Sequence, residues 1–122
     1  MTRAILIVDD NADAAALAAK LLWSWEYQAD VALDAFTALE LVEQNPYVLA
    51  IIDFQMPHMN GVELFRRMRK LRPEIKGVFV TGFTTIDVVY PAIEAGILRV
   101  LAKPVDYEEL MPLIDELTAV RG

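Results

Sequence analysis

Two adjacent carboxylates, Asp9 and Asp10, follow the aliphatic run at the start of the segment ILIVDDN, residues 5–11. An ionised carboxylate is costly to bury unless a cation, a hydrogen-bond donor or a metal ion compensates it. The aliphatic run has the length of one buried strand, which places both acids at the carboxyl end of that strand. The pair therefore predicts a positive group or a metal ion beside it.

Reactive side chains also end three later apolar runs. Asp53 ends VLAIID, Thr81 ends GVFVT and Lys103 follows RVLA. Carboxylates hold Mg²⁺ well, while cations and donors stabilise phosphoryl oxygens, so this set of groups suits phosphoryl transfer to a carboxylate. We expect Asp53 to be the nucleophile and Asp10 to help hold the ion. Lys103 and the Thr81 hydroxyl would then contact the transferred group.

Short apolar runs alternate with longer helical patterns five times along the chain, as in a parallel α/β fold. The predicted strands are Ala4–Val8, Ala29–Ala32, Val48–Asp53, Gly77–Thr81 and Arg99–Ala102. The predicted helices run from the Asn11 cap to about Trp25, and over Ala35–Gln44, Val62–Leu71, Ile86–Ala95 and Asp106 to about Ala119. Asp106 and Glu109 have the spacing of a capping box, and Gly96 is a plausible C-cap.

Right-handed crossovers between such strands give an open, doubly wound sheet whose functional residues gather at the carboxyl ends of the strands. Taken singly, each reactive residue has an ordinary structural explanation, such as a helix cap, a turn or a surface charge. Their joint position at one edge of the sheet favours a functional site.

Composition narrows the possible chemistry. The chain has 122 residues, 56% of them hydrophobic, which fits one compact domain. Because it has no cysteine and one histidine, His58, a metal site must use oxygen ligands. The net charge of -7 argues against direct nucleic-acid binding. The basic cluster within 66–72 is interpreted as a solvated helix face. No signal peptide or membrane span is recognisable, so we expect a soluble, cytoplasmic protein without membrane contact.

The motifs VDDN (8–11), DFQMPHMNG (53–61), TG (81–82) and KP (103–104) together resemble the receiver domain of bacterial two-component response regulators. The resemblance covers essentially the whole chain. It implies a flavodoxin-like, five-stranded parallel sheet in the order 2-1-3-4-5 with five helices, and one receiver domain over residues 1–122 without an output domain. It also implies a signalling domain, not a metabolic enzyme, that catalyses its own phosphorylation and dephosphorylation.

The resemblance assigns roles to individual residues. Asp53 would be the phosphoacceptor, Thr81 the switching hydroxyl and Lys103 the contact to the phosphoryl group. Asp9, Asp10 and Asp53, with the Gln55 carbonyl, would hold Mg²⁺ or Mn²⁺. The bond before Pro104 would be cis, which would aim the lysine inward, and Gly61 would supply backbone freedom in a loop.

Several positions depart from the family pattern. Val100 stands where the family usually has an aromatic residue that rotates on activation. Pro91 and Pro112 fall inside predicted helices that border the usual output face. These prolines are either local kinks without consequence or signs of a non-standard output face. Glu26 and Ala35 replace glycines that the family often has at turns.

The resemblance also implies partners, namely a histidine kinase or histidine phosphotransferase docking on the first helix, and a downstream protein or a second copy of the chain. Leu17, Leu21 and Trp25 form the predicted apolar stripe of that helix, and Trp23 lies off it. Trp23 is therefore either a solvent-facing docking residue or a side chain folded over its own helix. Phe83, near the predicted site, would either influence water access or pack the loop.

Two other functions compete with the phosphoacceptor hypothesis. A pseudo-receiver would act as an interaction module that does not depend on phosphorylation. A haloacid-dehalogenase-type phosphatase would need a second aspartate two residues after Asp53, where this sequence has Gln55.

Overall fold

The structure is a computed structural model that describes residues 4–82 and 86–119, with the backbone alone at 86 and 87. Its strands are β1 Ala4–Val8, β2 Gln28–Ala32, β3 Leu49–Asp53, β4 Lys76–Thr81 and β5 Arg99–Ala102. Its helices are α1 Ala12–Ser24, α2 Ala35–Gln44, α3 Gly61–Leu71, α4 Ile86–Glu94 and α5 Tyr107–Thr118. Every element predicted from sequence is present, with ends that differ by about one residue.

The five strands form one parallel sheet in the order β2-β1-β3-β4-β5, so the predicted fold class is confirmed. All five residues of β3 are buried. This burial accounts for the unbroken apolar run of that strand, because helices cover both faces of a parallel sheet.

Two apolar cores lie on opposite faces of the sheet. On one face, Phe65 and Met68 of α3 pack with residues of α2, α4 and the strands. On the other face, Leu22 of α1 and Ile114 of α5 pack against alternate strand residues such as Ile5. The alternation of strand side chains between the faces divides each strand between the two cores.

The predicted apolar stripe of α1 is wrong in part. Leu22 and Ala15 are the buried residues of this helix, whereas the Leu17 side chain is 53% exposed. Leu17 and Leu22 are five residues apart, which corresponds to about 140° around a helix, so both cannot face the sheet. Tertiary packing selected Leu22.

Side-chain caps begin four helices in the described parts of the chain, from Asn11, Asp34, Asn60 and Asp106. The cap at Asp106 was predicted, but its carboxylate accepts the Glu108 N–H at 2.9 Å, one residue before the position that a capping box requires. Each cap satisfies a backbone N–H that has no partner inside its helix.

Helices α4 and α5 continue through Pro91 and Pro112. Each proline lacks the N–H that would bond the carbonyl four residues earlier. In α4 the Ala95 N–H still donates to the Pro91 carbonyl at 3.0 Å, so the backbone remains helical beyond the proline.

The basic cluster lies mainly on the solvent side of α3, as predicted. Arg66, Arg67, Arg69 and Lys70 are exposed. Among the helices that the structure describes, none has the length and apolar character that a membrane span requires.

Candidate functional site

The reactive residues predicted from sequence meet at one edge of the sheet. Asp53 and Thr81 are the last residues of β3 and β4, Asp9 and Asp10 follow β1, and Lys103 follows β5. These strands are neighbours and run parallel, so their carboxyl ends coincide. The fold thereby gathers groups that are far apart in the chain.

Asp53 and Lys103 form an ion pair at the centre of this cluster. The Lys103 ammonium lies 3.0 Å from Asp53 Oδ2, and Asp53 is only 5% exposed, whereas the lysine side chain is 41% exposed. The other carboxylate oxygen, Oδ1, accepts the Gln55 N–H at 3.1 Å. A buried carboxylate is thus compensated by one cation and one backbone donor.

The backbone of the β5–α5 loop holds the lysine in place. The Lys103 N–H donates to the Thr81 carbonyl at 2.9 Å, which extends the β4–β5 pairing beyond the end of the strand. The Lys103–Pro104 peptide bond is cis, as predicted.

Asp9 lies partly buried beside Asp53. Its N–H donates to the Ala32 carbonyl at 3.1 Å, and its Oδ1 accepts the Asn11 N–H at 2.9 Å. Burial raises the pKa of Asp9 above its ordinary value, and the neighbouring Asp53 carboxylate adds to the rise. The Asn11 hydrogen bond and the Lys103 charge act in the opposite direction.

The carboxylates have the arrangement of a cation site. One oxygen from each of Asp9, Asp10 and Asp53 lies within 4.8 Å of the others. Lys103 offsets one of these three charges, so the cluster retains an excess of negative charge. Hard oxygen ligands with surplus negative charge suit Mg²⁺, Mn²⁺ or Ca²⁺, so the donor set fits a divalent ion.

Thr81, Val100 and Pro104, which have predicted switching or structural roles, lie in different environments. Thr81 is fully buried, and Val100 is partly buried, pairs with Phe79 across β4 and β5, and packs against the α3-side core. Pro104 is exposed, directly after Lys103. No aromatic side chain occupies the position of Val100 in β5.

The predicted reason for Gly61 is wrong. It is the first residue of α3, not a loop residue, and its φ does not lie in the left-handed region. A Cβ there would lie 3.2 Å from side-chain atoms of Phe54 and Phe79. Those two rings pack with centroids 5.4 Å apart. Close packing of the aromatic pair under the site therefore favours glycine.

Sequence reasoning missed two features of the β3–α3 loop. Asn60 caps α3 by accepting the Glu63 N–H at 2.9 Å, and its position directly before Gly61 was an available signal. His58, an exposed loop residue as predicted, has a φ of 76°. Histidine is among the non-glycine residues that are enriched at positive φ, but this weak preference alone does not predict the conformation. Phe83 lies outside the described residues.

Trp23 is exposed but bonded to a strand, not only folded over its own helix, and its docking role stays a prediction. Its side chain is 56% exposed, yet its indole N–H donates to the Ala29 carbonyl of β2 at 3.1 Å. β2 is an edge strand of the sheet. The indole therefore donates a hydrogen bond to a carbonyl on the side of β2 that has no neighbouring strand in the described sheet.

Comparison with known proteins decides the family. The family model described as the response regulator receiver domain matches residues 5–115. The chain belongs to this family. The receiver is 30% identical to sporulation initiation phosphotransferase F of Bacillus subtilis, over all of this chain and 98% of that protein. It is 30% identical to the response regulator receiver protein CpdR of Brucella abortus, over 96% of this chain and 97% of that one.

Some relatives are much longer than the receiver. It is 30% identical to the transcriptional regulatory protein ZraR of Klebsiella oxytoca over 94% of this chain, but spans only 26% of ZraR. Among solved structures, a CheY-like receiver domain protein from Methanospirillum hungatei has a TM-score of 0.86 at 32% identity, over 95% of this chain and 93% of that one.

A second solved structure contains a modified site. It is a response regulator protein from Burkholderia pseudomallei with a phosphorylated aspartic acid, a calcium ion and citrate. Its TM-score is 0.84 at 25% identity, covering 89% of the receiver and 64% of that chain. Receiver domains generally bind Mg²⁺, and those of this kind interact with kinases or phosphotransferases.

Proposed function

We propose that this receiver takes a phosphoryl group onto Asp53 from a phosphohistidine of a histidine kinase or histidine phosphotransferase, in the cytoplasm and with Mg²⁺ or Mn²⁺. One observation carries the proposal. The buried Asp53 carboxylate lies 3.0 Å from the Lys103 ammonium and within 4.8 Å of oxygens from Asp9 and Asp10. A nucleophile, a cation for the phosphoryl oxygens and a hard-oxygen metal site thus occupy one place.

The transfer is an in-line displacement at phosphorus. A carboxylate oxygen of Asp53 forms the new P–O bond while the P–N bond to the donor imidazole breaks. The imidazole nitrogen keeps the electron pair of that bond and takes a proton. The signal ends when water attacks the aspartyl phosphate and releases inorganic phosphate. In this proposal the domain catalyses that dephosphorylation itself.

The surrounding residues have separate roles, either in contacting the phosphoryl group or in binding the metal ion. Lys103 leaves the Asp53 oxygen and pairs with a phosphoryl oxygen, to which the Thr81 hydroxyl also donates. Asp9, Asp10 and Asp53, with the Gln55 carbonyl, would hold a divalent ion, which would supply positive charge for the phosphoryl oxygens.

The change in charge at Asp53 then alters the affinity for a partner, either a downstream protein or a second copy of the chain. Val100 gives no aromatic side chain to rotate with Thr81, so we expect the readout to depend on Thr81 itself.

The test is intact-mass measurement after incubation with phosphoramidate and Mg²⁺. Wild type should gain one phosphoryl group and Asp53→Asn none. Asp106→Asn is the matched control, because it removes one carboxylate at the α5 cap while asparagine still caps a helix. Label on Asp53→Asn would contradict the assignment of the nucleophile.

The competing function is a pseudo-receiver that binds partners independently of phosphorylation. Val100, Pro91 and Pro112 motivate it, because Val100 replaces the usual aromatic residue and the prolines fall in helices that border the usual output face. If wild type stays unlabelled with phosphoramidate and with phosphorylated kinases, this second function replaces the first. Size-exclusion chromatography of the same samples would report any self-association.

A further inference from the structure

A cavity of about 550 Å³ lies between α1, α5 and the sheet, and it opens beside the carboxylates. Its floor includes Ile51 and Val80, and its far wall includes Leu110 of α5. The volume lies within the range of small-molecule sites, roughly 300–1,000 Å³. Asp9, Asp53 and Lys103 also line it, so the cavity adjoins the carboxylate site, although Thr81, Asp10 and Gln55 do not line it.

Alanines on α1 create this space. Ala14, Ala18, Leu22 and Trp25 line the cavity at helical spacing. The two alanines stand at the end near the carboxylates, where their methyl groups are too short to fill the gap toward α5. The larger Leu22 and Trp25 close the other end.

The chemistry of the cavity changes from one end to the other. The walls are apolar and include the aromatic side chains of Trp25 and Tyr107. Asp9, Asp53 and Lys103 line its mouth. Two carboxylates face one ammonium there, and that ammonium is already paired with Asp53 at 3.0 Å. The negative charge in excess belongs to Asp9.

We propose that this cavity binds a small primary amine with an aromatic or short aliphatic body. The body occupies the apolar space beside Ala18, and the ammonium group pairs with Asp9. Charge complementarity selects a cation, because an anion would face two carboxylates. An aromatic wall adds attraction for an ammonium group and its apolar body. The inference rests on the shape of the cavity and the charge of Asp9, and it does not require Asp53 to accept a phosphoryl group.

Calorimetry of the wild-type chain with phenethylammonium chloride tests the proposal. Phenethylammonium should bind at least about ten-fold more tightly than methylammonium, which lacks the apolar body, and than phenylacetate, which has the opposite charge. Equal binding of methylammonium would mean that surface charge alone accounts for the affinity. Equal binding of phenylacetate would mean that pairing with Asp9 does not contribute to the affinity. Either result overturns the proposal.

Filling the cavity provides the matched variants. Ala18→Leu should weaken phenethylammonium binding by about ten-fold or more, whereas Ala16→Leu, at an exposed position of the same helix, should leave it unchanged. Circular dichroism would verify that each variant folds. If Ala18→Leu does not fold, Ala14→Leu replaces it. Unchanged affinity in a folded cavity variant overturns the proposal.

Mg²⁺ supplies an independent readout. An ion held by Asp9 should compete with the ammonium group and raise its apparent dissociation constant, while Ala18→Leu should leave Mg²⁺ binding intact. Simultaneous binding of both without mutual effect would place the amine elsewhere and overturn the proposal. Self-association of wild type that Ala18→Leu abolishes, without amine binding, would assign the cavity to a second copy of the chain.

Discussion

Glu26 occupies at the end of α1 the position that Gly96 occupies at the end of α4. Both residues have positive φ, 68° for Glu26 and 92° for Gly96. The Glu26 N–H donates to the Trp23 carbonyl and the Gly96 N–H to the Ile93 carbonyl, each at 3.0 Å. The next residue in each case bonds the carbonyl five residues earlier, which completes the Schellman motif at both helix ends. The same turn thus has glycine, which adopts positive φ at no steric cost, at the end of α4 and glutamate at the end of α1.

Glu26→Gly should therefore stabilise the protein. A non-glycine residue in the left-handed region costs about 1–2 kcal/mol, and the entropy of glycine in the unfolded chain offsets part of that gain. We expect an increase of about 1 kcal/mol in the free energy of unfolding, measured with urea. Gly96→Ala is the counterpart and should destabilise. A loss of stability in Glu26→Gly would contradict this account of the turn.

Replacing Lys103 should expose the cost of an uncompensated buried carboxylate. Lys103→Met leaves Asp53 buried without its cation, so we expect destabilisation of about 1–3 kcal/mol without Mg²⁺. The double variant with Asp53→Asn should recover most of this loss, and Mg²⁺ should reduce the cost in the single variant. Urea unfolding with and without Mg²⁺ measures all three. Lys20→Met, at an exposed site on α1, should have little effect; equal loss there would argue against a specific pair.

Trp23→Phe separates the hydrogen-bonding role of the indole from its bulk. Phenylalanine keeps an aromatic ring but cannot donate to the Ala29 carbonyl, so we expect a loss of about 1 kcal/mol in unfolding free energy. Labelling of Asp53 by phosphoramidate should not change. Leu17→Ala, at another exposed apolar position of α1, should cost less than about 0.5 kcal/mol. Similar losses in both variants would mean that the hydrogen bond contributes nothing.

Tyr47 should make the protein sensitive to alkali. Burial, followed by the hydrogen bond that its hydroxyl donates to Asp30, raises the pKa of Tyr47 well above its ordinary value. Because the folded-state pKa is raised, the stabilisation is fully present below the unfolded pKa of about 10 and is lost as pH rises above it.

Unfolding free energies at about pH 9 and about pH 11 should therefore fall more in wild type than in Tyr47→Phe. Ultraviolet absorbance of wild type and Tyr47→Phe provides a direct check, since the variant should lack an ionisation that wild type shows only at the highest pH. A Tyr47→Phe spectrum that keeps the ionisation seen at the highest pH would contradict the prediction.

Local sequence patterns were sufficient to predict the helices and strands and to identify the residues that lie together at the candidate site. Apolar runs, helix caps and strand-end polar residues are short-range signals, and a parallel α/β sheet has one edge where strand ends meet. Asp53 and Lys103 could thus be placed together across fifty residues of chain before any distance was known. The order of the strands and the cis bond before Pro104 came from the family resemblance, because periodicity does not encode either.

Contacts between distant segments decided the rest. The sequence pattern predicted that Leu17 faces the sheet. In the structure, Leu22 packs against α5 and the strands, and Leu17 is exposed. Trp23 bonds a carbonyl on a strand edge, and close packing of the rings of Phe54 and Phe79 favours glycine at position 61.

By itself, the sequence determined the alternating elements and the chemical groups at the ends of the strands, because periodicity and capping depend on near neighbours in the chain. Only the tertiary structure decided the 3.0 Å pairing of Lys103 with Asp53, the inward face of α1 and the cavity beside Ala18. These depend on how side chains from separate elements share space and charge, and no local pattern contains that information.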